Sequence, residues 1–329
     1  MNSISCVLQP ALHKYKLLLD IKLIKKEEIM KKSYPGMTAV AILISLGSLL
    51  AGNAFAEGLP EKSIVVSDVG FATPESVEYY AAEDVYLVTN INGSPFAVDG
   101  NGFISKIKPD GSVIDLKWID GAKKGATLNG PKGAAIAGKN LFVADGNQVH
   151  VFALPSGKQK KSITLKGSTF LNGITPGPQG SVYVTDSGFD EGFKPNGTDA
   201  IYQVWANGKH KAVYKDKDMG HPNGIWYDKG RLIVNTFGSG KVFSIDMKGK
   251  KSTMPTPPNG SLDGLVLLKD GRLLVTSWGG SALYAMDKKG DYTVMASDLD
   301  APADIDVDTR RNRVLVPLFK QNKVAILPY

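Results

Sequence analysis

The sequence is nearly free of cysteine: Cys6 is the only one in 329 residues. The body of the chain therefore offers no disulfide, no thiolate metal site and no cysteine nucleophile, and its stability must come from packing. Histidine is scarce too, with His150, His210 and His221 the only ones beyond the first 56 residues. Blocks of clustered Lys and Arg with interleaved aromatics are missing. The short Lys158-Gln159-Lys160-Lys161 run reads as the solvated rim of a hairpin, which argues against a nucleic-acid partner. After Ala56 no long amphipathic helical pattern occurs, which excludes an α-rich body.

The amino terminus holds a leader. Residues 37–51 form an apolar stretch that follows Met30-Lys31-Lys32 and runs into Ala54-Phe55-Ala56, small residues placed for signal-peptide cleavage after Ala56. The stretch is shorter than the roughly 20 residues that cross a bilayer, so no stable membrane insertion is expected. Residues 1–29 precede what is already a complete signal and read as an extension ahead of the true start. The expected organisation is thus an upstream extension over 1–29, a signal peptide over 30–56 and one domain over 57–329, placed in the periplasm or secreted. Residues 1–56 hold seven of the 39 basic and three of the 32 acidic residues, so the net charge falls from +7 to +3 without them. The basic character belongs mostly to the leader.

What is abundant is short β-rich runs between Gly, Asn, Asp and Pro clusters. Six copies of one strand are visible: Val85-Tyr-Leu-Val-Thr, Leu141-Phe-Val-Ala-Asp, Val182-Tyr-Val-Thr-Asp, Leu232-Ile-Val-Asn-Thr, Leu273-Leu-Val-Thr-Ser and Val314-Leu-Val-Pro-Leu. A second element precedes each, and its equivalent positions are Glu75, Lys132, Asn172, Asn223, Asp263 and Asp304. The period is roughly forty residues, stretched by insertions around 92–101 and 187–199, which is the period of a propeller blade of four strands. One four-stranded sheet cannot bury both faces alone, whereas radial stacking covers each face with a neighbour. The last repeat lacks a fourth strand, and Ser63-Ile-Val-Val-Ser ahead of the first repeat can supply it. The fold expected is a single six-bladed all-β propeller closed by pairing of its two ends, and a monomer.

The six equivalent positions should gather at one end of the central channel. Glu, Asn and Asp from separate blades offer hard oxygen donors, suited to Ca²⁺ or another oxygen-preferring divalent ion. The competing reading is that Asn172-Gly173 and Asn223-Gly224 are hairpin turns, since Asn-Gly is a common turn pair and Asn207-Gly208 is plainly one. Shared repeat phase favours a site. His221 directly precedes Pro222-Asn223-Gly224 and is a candidate substrate contact; Trp278-Gly279-Gly280 could form a pocket wall.

Glu75, Leu171-Asn172-Gly173, Pro222-Asn223-Gly224-Ile225-Trp226 and Leu262-Asp263-Gly264-Leu265 resemble the Glu, Asn, Asn and Asp motifs of the gluconolactonase/regucalcin (senescence marker protein) family, over essentially all of residues 64–329. The resemblance implies hydrolysis of a small-molecule lactone or ester with a divalent metal ion, calcium foremost, in the channel. It implies Glu75, Asn223 and Asp263 as metal ligands, Asn172 as a ligand or substrate contact, and Asp263 as general base. Two departures stand out: Ser76-Val77 follows Glu75 where the family commonly has Gly-Pro and a Trp, and Phe170 stands two residues before Asn172 where it often has Arg. Loss of the Arg argues for a different or less polar substrate, or for no catalysis. The alternative function is a non-enzymatic propeller in which an ion staples the blades and the two insertions form a binding surface.

Overall fold

A computed structural model describes residues 58–329; the upstream extension and the leader read from residues 1–56 lie outside the described residues. Six four-stranded sheets follow one another along the chain, each strand pairing antiparallel with the next. The blades span 74–120, 131–164, 171–215, 222–253, 262–296 and 306–328. The fourth strand of blade 6 is Ile64–Val66, paired antiparallel with Lys323–Pro328 so that Ile64 faces Ile326 and Val66 faces Val324. The ring is therefore closed by its two ends, as the sequence predicts.

The buried apolar side chains explain why six copies close. They fall into six clusters, one at each interface between neighbouring blades. The closing interface brings Val77, Tyr86 and Val88 of blade 1 onto Leu315, Val324 and Ile326 of blade 6, with Val66. Second strands such as Val85–Asn90 and Ser181–Asp186 are buried along their whole length, because a blade covers each face. Hence they read as continuous apolar runs and not as alternating ones. Outer strands such as His210–Lys215 and Lys251–Thr253 are mostly exposed, and so is the Lys158–Thr164 strand that carries the lysine run. Outside the core, Arg311 makes two hydrogen bonds to Asp84, at 2.8 and 2.6 Å, which ties blade 6 to blade 1.

The innermost strands hold the key to the site. In blades 1 to 5 their register shifts at the repeat's phase position, between Pro74 and Ser76, Pro131 and Ala134, Leu171 and Ile174, Pro222 and Ile225, and Leu262 and Leu265. Asn172-Gly173 and Asn223-Gly224 are thus in bulged strands, not in turns. A Cβ on Gly133, Gly173, Gly224 or Gly264 would run into backbone atoms of Asn172, Asn223, Asp263 and Ala303 respectively. Glycine at these four positions serves close approach of neighbouring strands around the channel. By contrast Gly208, in the Asn207-Gly208 turn, has φ +99.

Second-strand polar residues bridge the blades at the same level. Thr185 Oγ1 donates to the Asn223 carbonyl at 2.7 Å, Asn235 Nδ2 to the Asp263 carbonyl at 2.8 Å, and Thr276 Oγ1 to the Ala303 carbonyl at 2.9 Å. Buried polar groups need such partners, and here each one fixes the next blade's backbone at its phase position or, for Ala303, one residue before it.

Candidate functional site

Pro74 pairs with Asn90 and Leu171 with Asp186, so the insertions that follow those two strands rise at the same end of the ring as Glu75 and Asn172. Beneath them lies a cavity of about 40 Å³ whose polar lining is Glu75, Lys132, Asn172, Asn223 and Asp263. Five of the six phase positions are brought together as the sequence predicts, and all five side chains are buried. Four of them present an oxygen with no hydrogen-bond partner: Glu75 Oε2, Asn172 Oδ1, Asn223 Oδ1 and Asp263 Oδ1. Four unpartnered buried acceptors from four blades in one cavity are costly unless a donor or cation meets them.

The sixth position departs from expectation. Asp304 does not line this cavity but a second chamber, with Ser76, Glu78 and Asp306. The reason is local. Blade 6 has Ile305 where blades 2 to 5 have glycine, the Asp304 N–H donates to the Glu75 carbonyl at 2.9 Å, and Asp304 bridges in register to Ser76, whose Oγ donates to its carboxylate at 3.0 Å.

Burial dominates the electrostatics. It pushes the Glu75 carboxyl well above the usual range, with the carboxylates of Asp263 and Asp304 adding to the shift and Lys132 opposing it. Asp263 is raised well above its usual value by burial and by Asp304, while Trp278 and Asn223 beside it pull the other way without reaching hydrogen-bond geometry. Burial lowers the pKa of Lys132. That ammonium is held by the carbonyls of Gly130 at 3.1 Å and Pro95 at 3.2 Å and sits 4.2 Å from the centre of the Phe170 ring, a cation–π contact. In the second chamber, burial raises Asp304 to about 7 and Asp306 to about 6.

Above the polar floor stands an aromatic wall of Phe170, Phe189, Phe193, Phe237, Trp278 and Phe319. Trp278 was visible in the sequence as a wall candidate. Phe237 and Phe319 were not singled out, although Ile91, Phe237, Trp278 and Phe319 all stand directly after a second strand, a shared phase that could have revealed them. Phe189 and Phe193 lie in the blade 3 insertion, which folds as a small hairpin, Phe189–Asp190 against Lys194–Pro195.

None of the three histidines lines the cavity. His221 stacks on Phe189 at 4.2 Å, and its Nδ1 lies 2.8 Å from the Ser187 carbonyl, so it backs the aromatic wall. His210 is exposed beside its turn. His150 is buried between Ser162 Oγ at 2.9 Å and Asp145 Oδ2 at 3.2 Å. Asp145 also accepts the amide N–H groups of Asn129 and Gly130, so this network braces the loop into blade 2.

Among the described residues no three His, Cys, Asp or Glu gather as a metal cluster. Two of the four free oxygens here are carboxamides. The donor set of two carboxylates and two carboxamides is nonetheless all oxygen, which fits a hard divalent cation.

A family model for the SMP-30/Gluconolactonase/LRE-like region matches residues 109–303, more than half of the chain. The chain belongs to that family. No curated protein matches it. Among solved structures, this SMP-30/gluconolactonase-like chain is similar to a gluconolactonase from Xanthomonas campestris, with 15% identity, a TM-score of 0.64, and 81% of this chain and 89% of that one covered. It is also similar to virginiamycin B lyase from Staphylococcus aureus, with 14% identity, a TM-score of 0.57, and 82% and 99% covered. A chain of a nidogen/laminin complex aligns at 17% identity and a TM-score of 0.54 over 67% of this chain and 79% of that one. Likeness at these identities shows the shared propeller, and function must be argued from the site.

Proposed function

We propose that the protein is an exported hydrolase of small-molecule lactones or esters that works with a divalent ion, calcium foremost, at the mouth of the channel. The observation that supports this reading is the convergence of four unpartnered buried oxygens, on Glu75, Asn172, Asn223 and Asp263, in one cavity. Those four residues would hold the ion, which in such a site polarises an acyl carbonyl and lowers the pKa of a water. Asp263, a carboxylate at the ion, would take the water's proton. Asn172 would hold the ion or orient the acyl group, while Lys132, buried beside Glu75, offsets part of the negative charge. The aromatic wall would exclude bulk water. Export rests on the leader, and mass spectrometry of the exported protein should show a chain that begins at Glu57.

The test is hydrolysis of a panel of lactones and aryl esters by the purified protein in calcium and in EDTA. Turnover that needs the divalent ion and is lost in Asp263→Asn supports the reading. Ion binding without turnover of any substrate would instead favour the second reading, a binding propeller stapled by its ion. The two unpaired Asn oxygens favour that one no less, since they can ligate but not take a proton.

A further inference from the structure

The cavity's polar groups are confined to its floor, and its wall is made of rings. Phe170, Phe189, Phe193, Phe237, Trp278 and Phe319 form a continuous arc with successive centroid separations of 5.9, 5.6, 6.5, 5.3 and 5.1 Å. The arc offers a bound molecule one polar atom, the unpartnered Trp278 Nε1. On the floor, Lys132 already has two carbonyl acceptors. With the four floor oxygens engaged by the ion, a polyhydroxylated lactone buried here would leave most hydroxyls without partners, at about 1–3 kcal/mol each. An aryl or alkyl group would lose nothing and gain ring contacts.

The mouth is closed by aromatic contact as well. Phe96, on the blade 1 insertion, meets Phe193, on the tip of the blade 3 hairpin, at 5.0 Å and 78°. Beyond Pro95 and Phe170, which line both spaces, lies a groove of about 590 Å³. The central cavity of about 40 Å³ is too small for a lactone ring, whereas the two spaces joined by displacement of Phe96 would take one with a sizeable substituent.

Resting on the hydrolase reading above, we infer that the substrate is a hydrophobic ester or lactone whose aryl or long alkyl part lies among Phe170, Phe193 and Phe237, and that it enters by parting Phe96 from Phe193. Phe193 is about half exposed at a hairpin tip, so it can be replaced without opening the core.

The experiment compares phenyl acetate, a δ-lactone bearing a long alkyl chain, and δ-gluconolactone as substrates of the calcium-supplemented protein and of Phe193→Ser. The expected kcat/KM is at least roughly tenfold higher for the two apolar substrates. Phe193→Ser should lose roughly tenfold on them, chiefly in KM, and clearly less on δ-gluconolactone. Equal or better turnover of δ-gluconolactone would overturn the inference while leaving the hydrolase reading in place. If no substrate is turned over, the hydrolase reading fails, and quenching of tryptophan fluorescence by phenyl acetate then decides the inference. Quenching that Phe193→Ser weakens supports an apolar ligand site, and an absence of quenching overturns it.

Discussion

The carbonyl of Asn223 occupies the space where a side chain on Gly173 would be. The same relation recurs from Gly133 to Asn172 and from Gly224 to Asp263, so the residues that present oxygens to the cavity also have backbones against which the preceding blade is seated. Gly173→Ala should therefore lower stability by about 1–3 kcal/mol, the usual cost of overpacking a close-packed interior. Urea unfolding checks this, and an unchanged midpoint would mean that the strands can move apart freely.

Ring closure rests on three residues. A chain that starts at Val69 lacks the Ile64–Val66 strand and leaves the edge of Lys323–Pro328 unpaired beside the buried Val324 and Ile326. Loss of the Val66 and Ile64 contacts should cost about 3 kcal/mol at ~1.5 kcal/mol per side chain, and the bare edge should promote aggregation. Thermal unfolding and size-exclusion chromatography test it; a monomer with unchanged Tm would show that the closure strand is dispensable.

Stability should depend on pH with a definite sign. Glu75 and Asp263 are raised well above their usual values, Asp304 to about 7 and Asp306 to about 6. Carboxyls whose folded pKa exceeds the unfolded value near 4 stabilise the fold fully below that value, and the contribution is lost as pH rises through about 6 to 7. In EDTA the Tm should fall from about pH 5 to about pH 8, and calcium should reduce the fall, because a bound cation favours the charged forms of Glu75 and Asp263. A Tm that rises over this interval in EDTA would contradict the assignment.

The propeller was legible because its second strands, such as Val182-Tyr-Val-Thr-Asp, are covered on both faces and so read as unbroken apolar runs. Closure was legible too, since Ile64-Val65-Val66 had no other partner in the repeat. The phase of Glu75, Asn172, Asn223 and Asp263 placed them in one cavity because each sits at the same bulge. Phase misled for Asp304, where Ile305 replaces the glycine of blades 2 to 5 and the side chain turns toward Ser76. Sequence proximity did not bring His221 to the cavity. It lies ahead of its strand in a left-handed conformation, φ 62, so the alternation that would set it on the same face as Asn223 is broken. Phe189 and Phe193 belong to an insertion outside the repeat, and nothing in its spacing shows that it folds back over the channel.

The central claim is that Glu75, Asn172, Asn223 and Asp263 make one divalent-ion site. Calorimetric titration of calcium into the wild type, Asp263→Asn and the turn variant Asn207→Ala tests it directly. The account predicts one ion bound by the wild type and by Asn207→Ala alike, and affinity weakened at least roughly tenfold in Asp263→Asn, about 1.4 kcal/mol or more. No binding at millimolar calcium, or equal loss in the two variants, would contradict it.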